Sequence, residues 1–98
     1  MLAPIRPTVA ITSPAAGSTV KTKSNVNFSA GVTNTPTYPV AHVDFFVDNT
    51  LLCSDTSASY SCGWKVSAAA NKTYTLKAIG YDTQGVAGPA STETVSSK

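Results

Sequence analysis

Charge is scarce in this chain of 98 residues: 12% of them are Asp, Glu, Lys or Arg, and seven bases against five acids leave a net charge of +2. The longest basic run is KTK at 21–23. That excludes the dense basic stretch a nucleic-acid binder uses against phosphates. No apolar run approaches the ~18 residues a membrane-spanning helix needs. The opening MLAPIRP has neither the basic start nor the apolar centre of a signal peptide. Met1 therefore reads as an engineered start, with any export signal expected upstream. A 3.6-residue apolar period is missing throughout, so helix is not expected. Histidine and tryptophan occur once each and cysteine twice, too few nitrogen and sulfur ligands for a closed zinc site.

What is present is a punctuated series of short alternating runs. Turn-rich stretches recur as SPAAGS at 13–18, TNTPTYP at 33–39, SAAANK at 67–72 and DTQGVAGP at 82–89. Between them, period-two alternation assigns inward faces to Val9 and Ile11; to Val26, Phe28, Ala30 and Val32; and to Val43, Phe45 and Val47. Tyr60, Cys62, Trp64 and Val66 form the next set, then Tyr74, Leu76, Ala78 and Gly80, with Val95 on the last strand. Asp48 and Asn49 suit a two-residue hairpin turn leading into LLCSD. About seven strands at this spacing predict an all-β, two-sheet antiparallel sandwich. Residues 1–6 read as linker or vector-derived sequence and residues 7–98 as one domain.

PTVAITSPAAGSTV at 7–20, VDFFVDNTLL at 43–52, YSCGW at 60–64 and YTLKAIGYDTQGVAG at 74–88 resemble the bacterial Ig-like domains appended to secreted hydrolases and surface proteins. The resemblance implies an immunoglobulin-like sandwich serving as spacer, stalk or accessory module in an extracellular, cell-surface or periplasmic protein. Such a family shares a shape more reliably than a task. Many relatives carry an Asp-rich loop before the VDFFVD strand. Here no carboxylate lies between Thr33 and Pro39, so no metal site or other cofactor is expected.

CSDTSASYSC at 53–62 holds both cysteines. Cys53 and Cys62 are too far apart for a Cys-x-x-Cys redox motif, and His42 sits in another strand without a second ligand. A structural disulfide fits better in a small, weakly charged domain, and points to an oxidising compartment. One obstacle stands. Counting by twos from the Asp48–Asn49 turn pairs Phe45 with Leu52 and sends Cys53 outward, whereas Cys62 faces inward with Trp64. A bridge therefore requires a break in strand parity near Cys53.

The carboxylates are expected in structural roles: Asp48 and Asp82 opening turns, Asp55 capping within the loop between the cysteines. Glu93 shares parity with Val95, and a strand irregularity or an edge position is expected to keep it out of the core. No nucleophile, base and acid set is recognisable, so no catalytic residue is assigned. Phe46, Leu51, Ile79 and Tyr81 fall on the solvent side of neighbouring strands and form a candidate contact patch, with Tyr38 in the TPTYP loop as a further ring. Two functions follow from different classes: a non-catalytic spacer contacting neighbouring domains, as a monomer, or a module binding polysaccharide or a surface protein, as in an adhesin.

Overall fold

The computed structural model describes residues 4–98. Eight strands run through it: β1 (Val9–Ser13), β2 (Thr19–Val20), β3 (Asn25–Val32), β4 (Val40–Val47), β5 (Thr50–Asp55), β6 (Tyr60–Lys65), β7 (Thr73–Asp82) and β8 (Ser91–Ser97). They form a three-stranded sheet ordered β1-β3-β6 and a five-stranded sheet ordered β2-β8-β7-β4-β5. All pairings are antiparallel except the short β2–β8 contact. Among the described residues there is no helix.

The alternation read from the sequence builds this sandwich directly. Along β7 every second residue from Tyr74 to Asp82 is buried, while Thr73, Thr75, Lys77, Ile79 and Tyr81 face out. Phe28, Val43, Phe45, Leu76 and Ala78 are completely buried between the sheets. The Phe28 and Phe45 rings meet edge to face at 4.8 Å, joining β3 of one sheet to β4 of the other. Trp64 packs edge to face on Tyr74 at 5.0 Å, so the lone tryptophan is core.

The first run of the sequence becomes two strands. After Ser13 the chain leaves the three-stranded sheet and crosses to the other, where Gly17 adopts φ 75° and its N–H donates to the Thr94 carbonyl at 2.8 Å. That crossing accounts for eight strands in place of the expected seven.

The molecule is a rod of 51 × 20 × 19 Å. At one pole Ile5 exchanges two hydrogen bonds with Thr37, its N–H donating to Oγ1 at 2.7 Å and its carbonyl accepting from the Thr37 N–H at 3.0 Å. Asn34 Nδ2 donates to the Arg6 carbonyl at 2.8 Å. Ile5 and Arg6 are thus hydrogen-bonded to the 34–37 loop; residues 1–3 lie outside the described residues. Pro7 is buried, and its carbonyl lies against Gly88 so closely that no side chain could be placed there. At the other pole the Lys98 N–H donates to the Val20 carbonyl at 3.0 Å and the Thr22 N–H to the Lys98 carbonyl at 3.4 Å.

Candidate functional site

Cys53 and Cys62 form a disulfide with their Cα atoms 6.3 Å apart, and no free cysteine remains. It joins β5 to β6, edge strands of different sheets, and so fastens the sandwich along one side. The pairing of Phe45 with Leu52 expected by counting does not occur. Phe45 stands opposite Cys53 and Phe46 opposite Leu51, leaving Leu52 as the extra residue of a β-bulge. The bulge supplies the parity break that turns Cys53 toward Cys62. Asp55 closes the intervening loop by accepting from the N–H groups of Ser61 at 2.9 Å and Ser57 at 3.0 Å. Those two bonds hold its carboxyl below the usual aspartate range.

The outer face of the five-stranded sheet brings the four patch residues onto adjacent strands in three rows. Leu51, Phe46 and Lys77 make the first, Ser54, Asp44 and Ile79 the second, His42 and Tyr81 the third. Polar side chains interleave with the apolar ones, and of the four only Leu51, 53% exposed, stands fully open. The rings already have partners. Lys77 Nζ sits 4.6 Å from the Phe46 centroid, with Asn49 Oδ1 3.3 Å away from it. His42 stacks on Tyr81 at 4.7 Å and 17°. Tyr38 stands in another place: a groove of about 390 Å³ at the N-terminal pole, with Pro4, Arg6, Asp82, Gln84 and Val86.

His42 is less isolated than its sequence position indicates, because β4 alternation places Asp44 on the same face, with His42 Nε2 3.4 Å from Asp44 Oδ1. Ser54 Oγ donates to that same carboxylate oxygen. The hydroxyl is therefore bonded to the acid and not to the imidazole, which is not the order that activates a serine nucleophile.

The other carboxylates fall largely as expected. Asp82 Oδ1 accepts from the N–H groups of Gln84 at 2.9 Å and Val86 at 3.0 Å, building the β7–β8 turn. Asp48 Oδ1 accepts from Thr75 N–H at 2.8 Å, tying the hairpin to β7. Glu93 departs from expectation in part. The β7–β8 register is unbroken around it, and it stands opposite the buried Leu76. Its Oε2 is buried without a hydrogen-bond partner, and burial raises the carboxyl above the usual range. Only the edge half of the expectation holds: β2 flanks β8 at Ser96 and Ser97, beyond Glu93.

Sequence reading missed one grouping altogether. Lys21, Lys23, Lys65, Lys72 and Lys98 come from separate stretches, and the fold gathers them at the C-terminal pole. Among the described residues no group of three or more His, Cys, Asp or Glu is placed to hold a metal ion, and no helix is long and apolar enough to cross a membrane.

Strand order, two-sheet closure and the crossing from β1 to β2 define an immunoglobulin-like sandwich. The chain belongs to the bacterial Ig domain family, whose model matches residues 7–78. A fibronectin(III)-like module of CbhA from Clostridium thermocellum is similar at 34% identity and a TM-score of 0.80, over 93% of this chain and 96% of that one. The fold also recurs in the endo-beta-1,4-mannanase of Thermotoga petrophila, at 13% identity and a TM-score of 0.72, where 95% of this chain matches 20% of the enzyme. The CARDB domain of a Pyrococcus furiosus protein, solved with di-metal ions, shares the fold at 16% identity and a TM-score of 0.68, over 97% of this chain and 89% of that one. Comparison with curated protein sequences gives no match.

Proposed function

We propose that this domain is a non-catalytic accessory module of a multidomain exported bacterial protein, acting as a spacer or interdomain scaffold. The observation that carries this reading is the placement of the two ends of the described chain at opposite poles of a rod 51 Å long. A module threaded this way separates its neighbours by its own length. The disulfide supports an extracellular, cell-surface or periplasmic location, since such bonds persist in oxidising compartments. The similarity to a fibronectin(III)-like module along nearly its whole length supports the accessory role. A sugar-stacking role for Phe46 and Tyr81 has less support, because Lys77 and His42 already lie against those rings.

The test places the domain between two fluorescent proteins and measures time-resolved energy transfer. A narrow distance distribution is expected, in contrast to the broad one of a Gly/Ser linker of equal residue number. A distribution as broad as the linker's, or turnover of any polysaccharide by the isolated domain, overturns the reading.

A further inference from the structure

The C-terminal pole carries a concentration of positive charge that no single stretch of sequence displays. Backbone hydrogen bonds tie its loops together: the Lys23 N–H reaches the carbonyls of Val66 at 3.1 Å and Ser67 at 3.2 Å, and the Ser97 N–H reaches that of Lys72 at 2.8 Å. Lys98 is bonded to Val20, and Lys65 pairs with Asn25 at the start of β3. Lys21, Lys23, Lys65, Lys72 and Lys98 are all exposed. Segments 17–27, 61–75 and 94–98, which build the pole, contain no Asp or Glu of their own; Asp48 reaches the pole from the β4–β5 hairpin, its Oδ1 accepting from the Thr75 N–H at 2.8 Å. Among the described residues none of these lysines has a carboxylate within 4.0 Å; the single carboxylate contact of this kind involves His42. Five of the seven basic residues therefore stand without an ion-pair partner on one end of a domain whose net charge is +2.

From this surface we infer that the C-terminal pole binds an anionic polysaccharide, a chain of sugars bearing carboxylates. The inference does not depend on the spacer reading. Three features select this partner chemistry. Exposed Asn25, Asn71 and Thr73 lie among the lysines and supply hydroxyl and amide groups for sugar hydroxyls. The large exposed apolar residues Ile5, Tyr38, Leu51 and Val86 all lie outside the segments of the pole, so it lacks the apolar centre of a protein interface, where lysine is depleted. Its aromatic residues, Trp64 and Tyr74, are buried and offer no stacking platform for the bases of a nucleic acid. Lysine ammonium groups act instead as point charges along a polymer, an attraction that salt screens.

Affinity electrophoresis in gels containing polygalacturonate, with neutral galactan as control, tests the assignment. The wild-type domain is expected to be retarded by polygalacturonate alone, with affinity falling at least ~10-fold as salt rises from about 50 to about 300 mM. The combined variant Lys21→Gln, Lys23→Gln, Lys65→Gln, Lys72→Gln should lose at least ~10-fold at low salt, whereas Lys77→Gln, a cation on the sheet face, should bind as wild type. Melting curves confirm that each variant is folded; if the combined variant is not, the salt dependence of the wild type and the four single variants decide. Absence of retardation by polygalacturonate, equal retardation by galactan, or undiminished binding by the folded variants overturns the inference. Equal retardation by double-stranded DNA overturns the choice of polysaccharide.

Discussion

Cys53 is the cross-strand partner of Phe45, one position away from where a regular hairpin would put it. That single displacement lets the edge strands of two sheets be joined covalently. With nine positions separating the cysteines, the chain-entropy argument assigns the bond about 2.5–3 kcal/mol. Intact mass should rise by 2 Da on reduction. The Cys53→Ser, Cys62→Ser variant should melt on the order of 10 °C lower than the oxidised domain. Equal melting temperatures would show that packing alone holds β5 against β6.

Gly88 is confined by the backbone of Pro7. A Cβ at this position would lie 1.6 Å from the Pro7 carbonyl oxygen and 2.8 Å from its carbon, and neither atom can rotate away. Gly88→Ala should therefore cost about 1–3 kcal/mol as the N-terminal segment is displaced. Gly63→Ala, where a Cβ meets nothing within 4 Å, is the matched control and should leave the urea midpoint nearly unchanged. Comparable losses in both variants would remove the close approach as the explanation.

The β4–β5 hairpin turns through two non-glycine residues with positive φ, Asp48 at 51° and Asn49 at 66°. This is the backbone of the tight turn that matches strand twist, and Asn tolerates it better than most side chains. Asn49→Gly should match or raise the stability of the wild type. Asn49→Val should lower it by about 1–2 kcal/mol, since a β-branched residue resists that region. Chemical denaturation of both variants checks the order.

Two carboxyls give opposite pH signatures. Burial raises Glu93, so its contribution is favourable while it is protonated and is lost as pH rises through the raised folded value. The Ser61 and Ser57 N–H groups lower Asp55, so its contribution is present above the usual aspartate value and is lost as pH falls through the lowered folded value. Glu93→Gln should melt a few degrees above wild type at pH 7, and the gap should close as pH falls through the carboxylate range. Asp55→Asn should melt below wild type at pH 7, with its gap also closing on acidification. A difference for either variant that does not change with pH would rule out ionisation as its origin.

The inward faces of β3, β4, β6 and β7 were legible because alternation of polar and apolar residues is a local property with a fixed period. The Asp48–Asn49 turn was legible for a similar reason, its chemistry being contained in two residues. A parity break near Cys53 was required by the cysteine pair, but its placement at Leu52 was not legible, since an inserted residue is defined only against the strand opposite. Nor was the escape of the chain from β1 to β2, which depends on Gly17 finding the Thr94 carbonyl far along the chain. Strand alternation puts Phe46, Leu51, Ile79 and Tyr81 on one outer face, but what covers the Phe46 and Tyr81 rings depends on Lys77 and His42, whose positions follow from strand register.

By itself, then, the sequence determined an all-β sandwich, its core residues and the pairing of its only two cysteines, because periodicity, turn chemistry and the count of thiols are written into adjacent residues. Tertiary structure decided that the disulfide joins two sheets, that the ends of the described chain stand at opposite poles, and that five scattered lysines share one of them. Each of these is a relation between segments remote in the chain. Such relations arise only when the sheets close on a common core and fix which loops meet at each end.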